Sequence, residues 1–107
     1  MERLPVSEFQ ILLALLSSDS HGAAIRDEVA QRTGGGVLLG PGTLYTSIKR
    51  LLARGWIDEV PDAATDVRRV YRLTASGRRA AAEEASRLEQ DLAHARRHRL
   101  LGRLGAT

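Results

Sequence analysis

Three stretches of the sequence predict a mainly α chain with a small β-hairpin. Residues 40–55, from Gly40-Pro41-Gly42 to Gly55, place turn residues at both ends of a run with two unlike faces. Residues 56–73 put short apolar-rich runs on either side of a turn-prone segment, as two paired strands do. Residues 75–101 contain no proline and are rich in alanine, which suits one long helix. A helix followed at once by a basic hairpin has the order of a recognition helix and its wing, where the helix enters the major groove and the wing lies along the backbone. The predicted architecture is a winged helix-turn-helix over residues 1–74 plus a long C-terminal helix over residues 75–107.

In the first helix, Ser7 and Gln10 have the spacing of a capping box, with Pro5 just outside. Phe9, Leu12, Leu13 and Leu16 form a core stripe, and Ile11 and Leu15 form a second stripe nearly opposite. A chain of 107 residues builds only a small core. The second stripe therefore predicts a partner surface, either the C-terminal helix of the same chain or that of another subunit. Asp19-Ser20-His21-Gly22 reads as a turn, with Asp19 or Ser20 capping a helix from about Ala23 to Arg32 that carries Ile25 and Val29 inward. No Ser, Cys or carboxylate stands in a catalytic relation to His21, so a turn or packing role is expected. Gly34-Gly35-Gly36 lacks the Gly-Lys-Ser/Thr ending of a phosphate loop. It reads as a flexible link into Val37-Leu38-Leu39, a candidate short strand beside the wing.

The third helix carries the functional expectation. Leu44, Ile48, Leu51 and Leu52 share one side, and Thr43, Thr46, Lys49, Arg50 and Arg54 share the other. Thr43 or a neighbour caps the start. Thr43, Tyr45, Thr46 and Ser47, near the N-terminus, suit contacts with base edges, while Lys49, Arg50 and Arg54 suit phosphates. Tyr45 lies at the border of the two faces, fit to pack, to donate its hydroxyl to a phosphate, or to do both. Arg68 and Arg69 in the hairpin suit phosphates or the minor groove, interrupted by Asp58, Glu59, Asp62 and Asp66, and Trp56 is placed to anchor the wing. Charge follows the same pattern: of a net +3, residues 1–40 carry −2, residues 41–79 carry +4 and residues 80–107 carry +1. That concentration is the footprint expected where phosphates are neutralised.

Thr74 is the natural N-cap of the last helix. Ala81, Ala85, Leu88, Leu92 and Ala95 recur at alternating spacings of four and three, a heptad seam whose next position is Arg99. Its small residues predict packing against Ile11 and Leu15 rather than a free coiled coil. His94 and His98 stand one turn apart but form only two ligands among Arg96, Arg97 and Arg99, so no metal and no cofactor is expected. The chain has no cysteine, no signal-like start and no apolar run near the roughly 20 residues that span a bilayer. The expectation is a soluble, cytoplasmic protein with no membrane partner. No catalytic dyad, metal set or cofactor motif points to an enzyme.

Gly42-Thr43-Leu44-Tyr45, Leu51 to Gly55, and Tyr71-Arg72-Leu73-Thr74 with Gly77 resemble the signature of the PadR family of bacterial transcriptional regulators, and His21-Gly22 fits the pair at the start of that family's second helix. The resemblance runs from about Phe9 to Arg79. Ala23, Thr46 and Val70 depart from it, standing where the family usually has an aromatic, a proline and an aromatic. The resemblance implies a homodimer joined through the C-terminal and first helices, of the short-tailed subgroup, acting as a repressor on a near-palindromic double-stranded operator and relieved by a small-molecule effector. Some members bind flat aromatic compounds at the dimer centre through an aromatic residue of the C-terminal helix, but no aromatic follows Tyr71 here. The alternative is a winged protein-interaction module that uses the apolar stripes. The basic, hydroxyl-rich face from Thr43 to Arg54 separates the two, since an interaction module has no need of it.

Overall fold

The computed structural model describes residues 3–61 and 69–101. Helix α1 (Val6–Ala14) lies at the centre and packs against three other helices: α2 (Gly22–Arg32), α3 (Pro41–Ala53) and α4 (Ala75–Arg97). That convergence favours the first of the two partners expected for the second stripe of α1, a surface of the same chain. Ile11 and Leu15 are 0% and 3% exposed, covered within the chain along with Phe9 and Leu12. Leu16, expected in the core, lies past the helix end and is 42% exposed. A nine-residue helix with neighbours on three sides buries both of its stripes in one small domain. Each fully covered aliphatic side chain contributes about 1.5–3 kcal/mol.

The helix starts also differ. Pro5 is the N-cap of α1, its carbonyl accepting from Phe9 N–H at 3.0 Å, so Ser7 falls inside the helix and forms no capping box. Helix α2 begins at Gly22 behind His21, with no side-chain cap from Asp19 or Ser20. Gly40 is the N-cap of α3 and Pro41 its first residue, a position where the missing proline N–H costs nothing, so Thr43 is not the cap. Gly55 ends α3 as expected. Its φ of 73° lets Trp56 N–H reach Leu51 O (3.1 Å) and Gly55 N–H reach Leu52 O (3.0 Å), the paired bonds of a Schellman turn.

Among the described residues the sheet has three antiparallel strands in the order β1 (Ser20–His21), β3 (Val70–Leu73), β2 (Ile57–Val60). Ile57 pairs with Leu73 and Val60 with Val70, giving the expected hairpin. The third place belongs to Ser20 and His21, opposite Tyr71 and Val70, and Val37-Leu38-Leu39 forms no strand. His21 Nδ1 donates to Arg69 O at 3.2 Å, which ties the start of α2 to the wing. The glycines after α2 close that helix, Gly35 N–H bonding to Ala30 O at 2.8 Å, where a flexible link was expected.

Thr74 caps α4 as expected. Its hydroxyl accepts from Gly77 N–H (3.0 Å) and donates to Gly55 O (2.7 Å), joining the helix start to the end of α3. The helix stops at Arg97, short of the expected Leu101, where Leu100 N–H turns back to Ala95 O with Arg99 at φ 57°. Along the predicted seam, Ala81 is buried and Ala95 half-buried, while Ala85, Leu88 and Leu92 are exposed, so the helix leaves the core after its first turns.

Glu84 fixes the N-terminal segment to α4. Its buried carboxylate accepts from Arg3 Nη2 (3.0 Å), Arg87 Nη1 (3.0 Å) and Leu4 N–H (3.5 Å). The Arg3 hydrogen bond, helped by the Leu4 N–H and the nearby cations, outweighs burial and holds this carboxyl below the usual carboxylate range. A lowered folded-state value adds stability above the unfolded value, about 4.3, and that stability is lost as pH falls through the folded value. Melting temperature is therefore expected to drop below about pH 4, with a shallower acid limb in Glu84→Gln, measured by circular dichroism across a pH series.

Candidate nucleic-acid interface

Helix α3 turns Leu44, Ile48 and Leu51 into the core, which leaves Thr43, Tyr45, Thr46, Lys49 and Arg50 exposed together. Five of the sequence-predicted contact residues thus share one surface. Thr43, Thr46 and Arg50 line a groove of about 430 Å³ with Ser7, Gly42 and Ser47. Tyr45 is 54% exposed, and its ring lies over Gly22 at the start of α2, so it packs on one side and meets solvent on the other.

Two predicted residues are placed differently. Ser47 is 3% exposed, its hydroxyl 2.9 Å from that of Ser7, because its position on α3 faces α1. It is corrected from a base reader to a bridge between the two helices. Arg54 caps the far end of α3 and stacks over Trp56, 4.8 Å from the ring centroid, beside a second groove of about 480 Å³ that includes Leu4, Ala80 and Arg87. Arg68 lies outside the described residues. Arg69 is exposed at the wing, pairing with Glu59 at 2.8 Å, and Arg72 lies 3.6 Å from Asp58. Exposed pairs of this kind add little stability, but they offset the basic charge of the wing.

Sequence reasoning missed Glu8. It sits in the first turn of α1, buried under α3, with Oε2 3.8 Å from Arg50 Nη1. The signal was present, since Glu8, Leu12 and Leu15 fall at i, i+4, i+7 and put a carboxylate on an apolar stripe. Among the described residues no three His, Cys, Asp or Glu side chains are grouped to hold a metal ion, and the rings of His94 and His98 are 4.5 Å apart. No described helix is long and apolar enough to cross a membrane.

Helices α2 and α3 joined through residues 33–40, followed by an antiparallel hairpin completed by β1, define a winged helix-turn-helix. The family described as "Transcriptional regulator PadR-like family" matches residues 11–83. The chain belongs to that family, which is one of transcriptional regulators and not of enzymes. It is 36% identical over 81 residues to the transcriptional regulator Rv3488 of Mycobacterium tuberculosis, covering 75% of this chain and 73% of that protein. A transcriptional regulator from Clostridium thermocellum has a similar structure, with TM-score 0.71 and 27% identity over 80% of this chain and 84% of that one. Bacillus subtilis PadR, solved in complex with operator DNA, shares the fold with TM-score 0.65 and 21% identity over 74% of this chain and 47% of that one.

Proposed function

We propose that this protein is a homodimeric, sequence-specific repressor that reads a near-palindromic operator with two copies of α3. The observation that carries the reading is the single exposed face holding Thr43, Tyr45, Thr46, Lys49 and Arg50 beside the hairpin. Hydroxyls near the start of the helix meet base edges, and Lys49 further along meets phosphate. Bacillus subtilis PadR, which shares the fold and was solved on operator DNA, supports the mode of docking. Arg69, and Arg68 beside it in sequence, extend the contact along the backbone.

Dimerisation falls to α4. Leu88 and Leu92, 40% and 38% exposed, form with Ala85 and Ala95 an apolar strip whose best partner is its own copy. Ile11 and Leu15, also expected at the dimer surface, are covered within the chain and not available to a second copy. Two heads held this way meet half-sites about 34 Å apart, one turn of the duplex. A small molecule that binds the dimer best when the heads are wrongly spaced relieves repression by shifting the population.

The test is fluorescence anisotropy of the purified protein on duplex from upstream of its own gene, beside a scrambled duplex, over a salt series. The expected result is preference for the upstream duplex, saturation at two chains per site and steep loss of affinity with salt. Equal, weak binding to both, followed by selection from a random pool that enriches no sequence, would replace this reading with the protein-interaction module.

A further inference from the structure

Glu8 is costly where it stands. Its side chain is 1% exposed, Oε1 is buried with no hydrogen-bond partner among the described residues, and Oε2 lies 3.8 Å from Arg50 Nη1. A carboxylate taken out of water is unfavourable unless donors or a cation answer it, and an apolar side chain of similar volume serves packing at least as well. The N-terminal turn of α1 offsets part of the cost through the helix dipole. The rest calls for a role that needs the charge.

Arg50 supplies that role. Its guanidinium is planar, with five N–H donors in a rigid fork. Its Nη1 lies 3.8 Å from Glu8 Oε2, and the side chain, 63% exposed, lines the groove with Thr43 and Thr46. Thr46 and Thr43 stand four and seven residues before Arg50, on the same face of α3. An arginine that only touches phosphate needs charge and reach, and gains nothing from a buried carboxylate that weakens the positive field. An arginine that reads a base needs a fixed plane, because guanine presents O6 and N7 as paired acceptors in the major groove.

We propose that Glu8 is a positioning residue that holds Arg50 for bidentate contact with a guanine edge, so that Arg50 determines specificity rather than serving as a general phosphate contact. This rests on the DNA-reading assignment above. The experiment is selection from a random duplex pool by the full-length wild type, Glu8→Gln, Arg50→Lys and the double variant, followed by titration of the enriched duplex and of single-base changes in it. The wild type should enrich one strongly fixed G·C pair in each half-site. Glu8→Gln and Arg50→Lys should each cut discrimination at that pair by about 5- to 100-fold while leaving the other positions unchanged. The double variant should lose little more than either single one, because both act on one contact. Affinity for scrambled duplex should hold or rise in Glu8→Gln, which removes a negative charge.

Glu8→Gln with unchanged base preference and only a lower melting temperature would overturn the proposal and leave Glu8 a structural residue. Equal weakening on every duplex would overturn it in favour of a phosphate contact. Arg50→Lys keeps the charge on an exposed side chain and tests the same base pair should Glu8→Gln fold poorly. Failure of the wild type to enrich any sequence would remove the DNA-reading assignment and this inference with it.

Discussion

Gly77→Ala is expected to destabilise the protein by about 2–4 kcal/mol, even though alanine is the better helix former by about 1 kcal/mol. Gly77 is the third residue of α4, and its N–H is the one capped by Thr74. A Cβ added there would overlap the carbonyl oxygen of Trp56 and approach the Trp56 carbonyl carbon to 2.8 Å and Leu73 Cδ1 to 2.9 Å. Two of these three neighbours are backbone atoms. The same carbonyl oxygen accepts from Thr74 N–H at 3.1 Å, so moving it aside breaks the link between the end of α3 and the start of α4. Overpacking usually costs about 1–3 kcal/mol, and the upper end and beyond apply where rigid backbone must shift. Thermal unfolding should show a drop on the order of 10–20 °C. Gly42→Ala, where an added Cβ meets nothing within 4 Å, is the control and should not lower the melting temperature. A loss below about 0.5 kcal/mol in Gly77→Ala would mean that α4 does not cross Trp56 this closely.

The elements legible in the sequence were those whose evidence is local. Helix α3 announces itself through Pro41, Gly55 and two chemically distinct faces, the hairpin through short runs around a turn, and the start of α4 through a threonine before an alanine-rich run. Each signal comes from backbone geometry that a residue and its near neighbours decide. Side-chain environments were less legible because they depend on what converges in space. Spacing alone left Ile11 and Leu15 open to a partner in the same chain or in another subunit, and the convergence of three helices on α1 covers them within the chain. Ser47 fits the hydroxyl-rich pattern of its neighbours, yet the turn of the helix aims it at Ser7. Strand β1 has two residues and no periodicity, while the more strand-like Val37-Leu38-Leu39 contributes Leu39 to the core without joining the sheet. At the candidate site, the residues that touch solvent could be named from spacing. The buried carboxylate beneath them was masked, because a first-turn Glu is ordinarily a favourable surface residue and its place on the stripe of Leu12 and Leu15 was the one sign against that.

Lys49→Glu is expected to lower affinity for the selected operator on the order of 100-fold, whereas Arg54→Glu should change it by less than about threefold. Both residues were read from the sequence as phosphate contacts, and both are exposed cations on α3. Their surroundings differ. Lys49 follows Thr46 on the face that also holds Tyr45 and Arg50, whereas Arg54 stacks over Trp56 beside Ala80, Glu83 and Arg87 on the α4 side. In a dimer each substitution acts twice. Lys49→Glu therefore removes about two phosphate contacts and adds two repelling charges, which should flatten the slope of log affinity against log salt by about 2. Arg54→Glu instead loses the stacking on Trp56 and sets a new carboxylate near Glu83, so its effect should appear in the melting temperature while the salt slope stays at the wild-type value. Lys49 is a cleaner site for reversal than Arg50, because Arg50→Glu would bring a second carboxylate against buried Glu8 and confound folding with recognition. Anisotropy titrations at several salt concentrations decide the matter. Collapse of binding in Arg54→Glu with retention in Lys49→Glu would mean that DNA meets the opposite end of α3, and the Thr43 face would lose its claim to the operator.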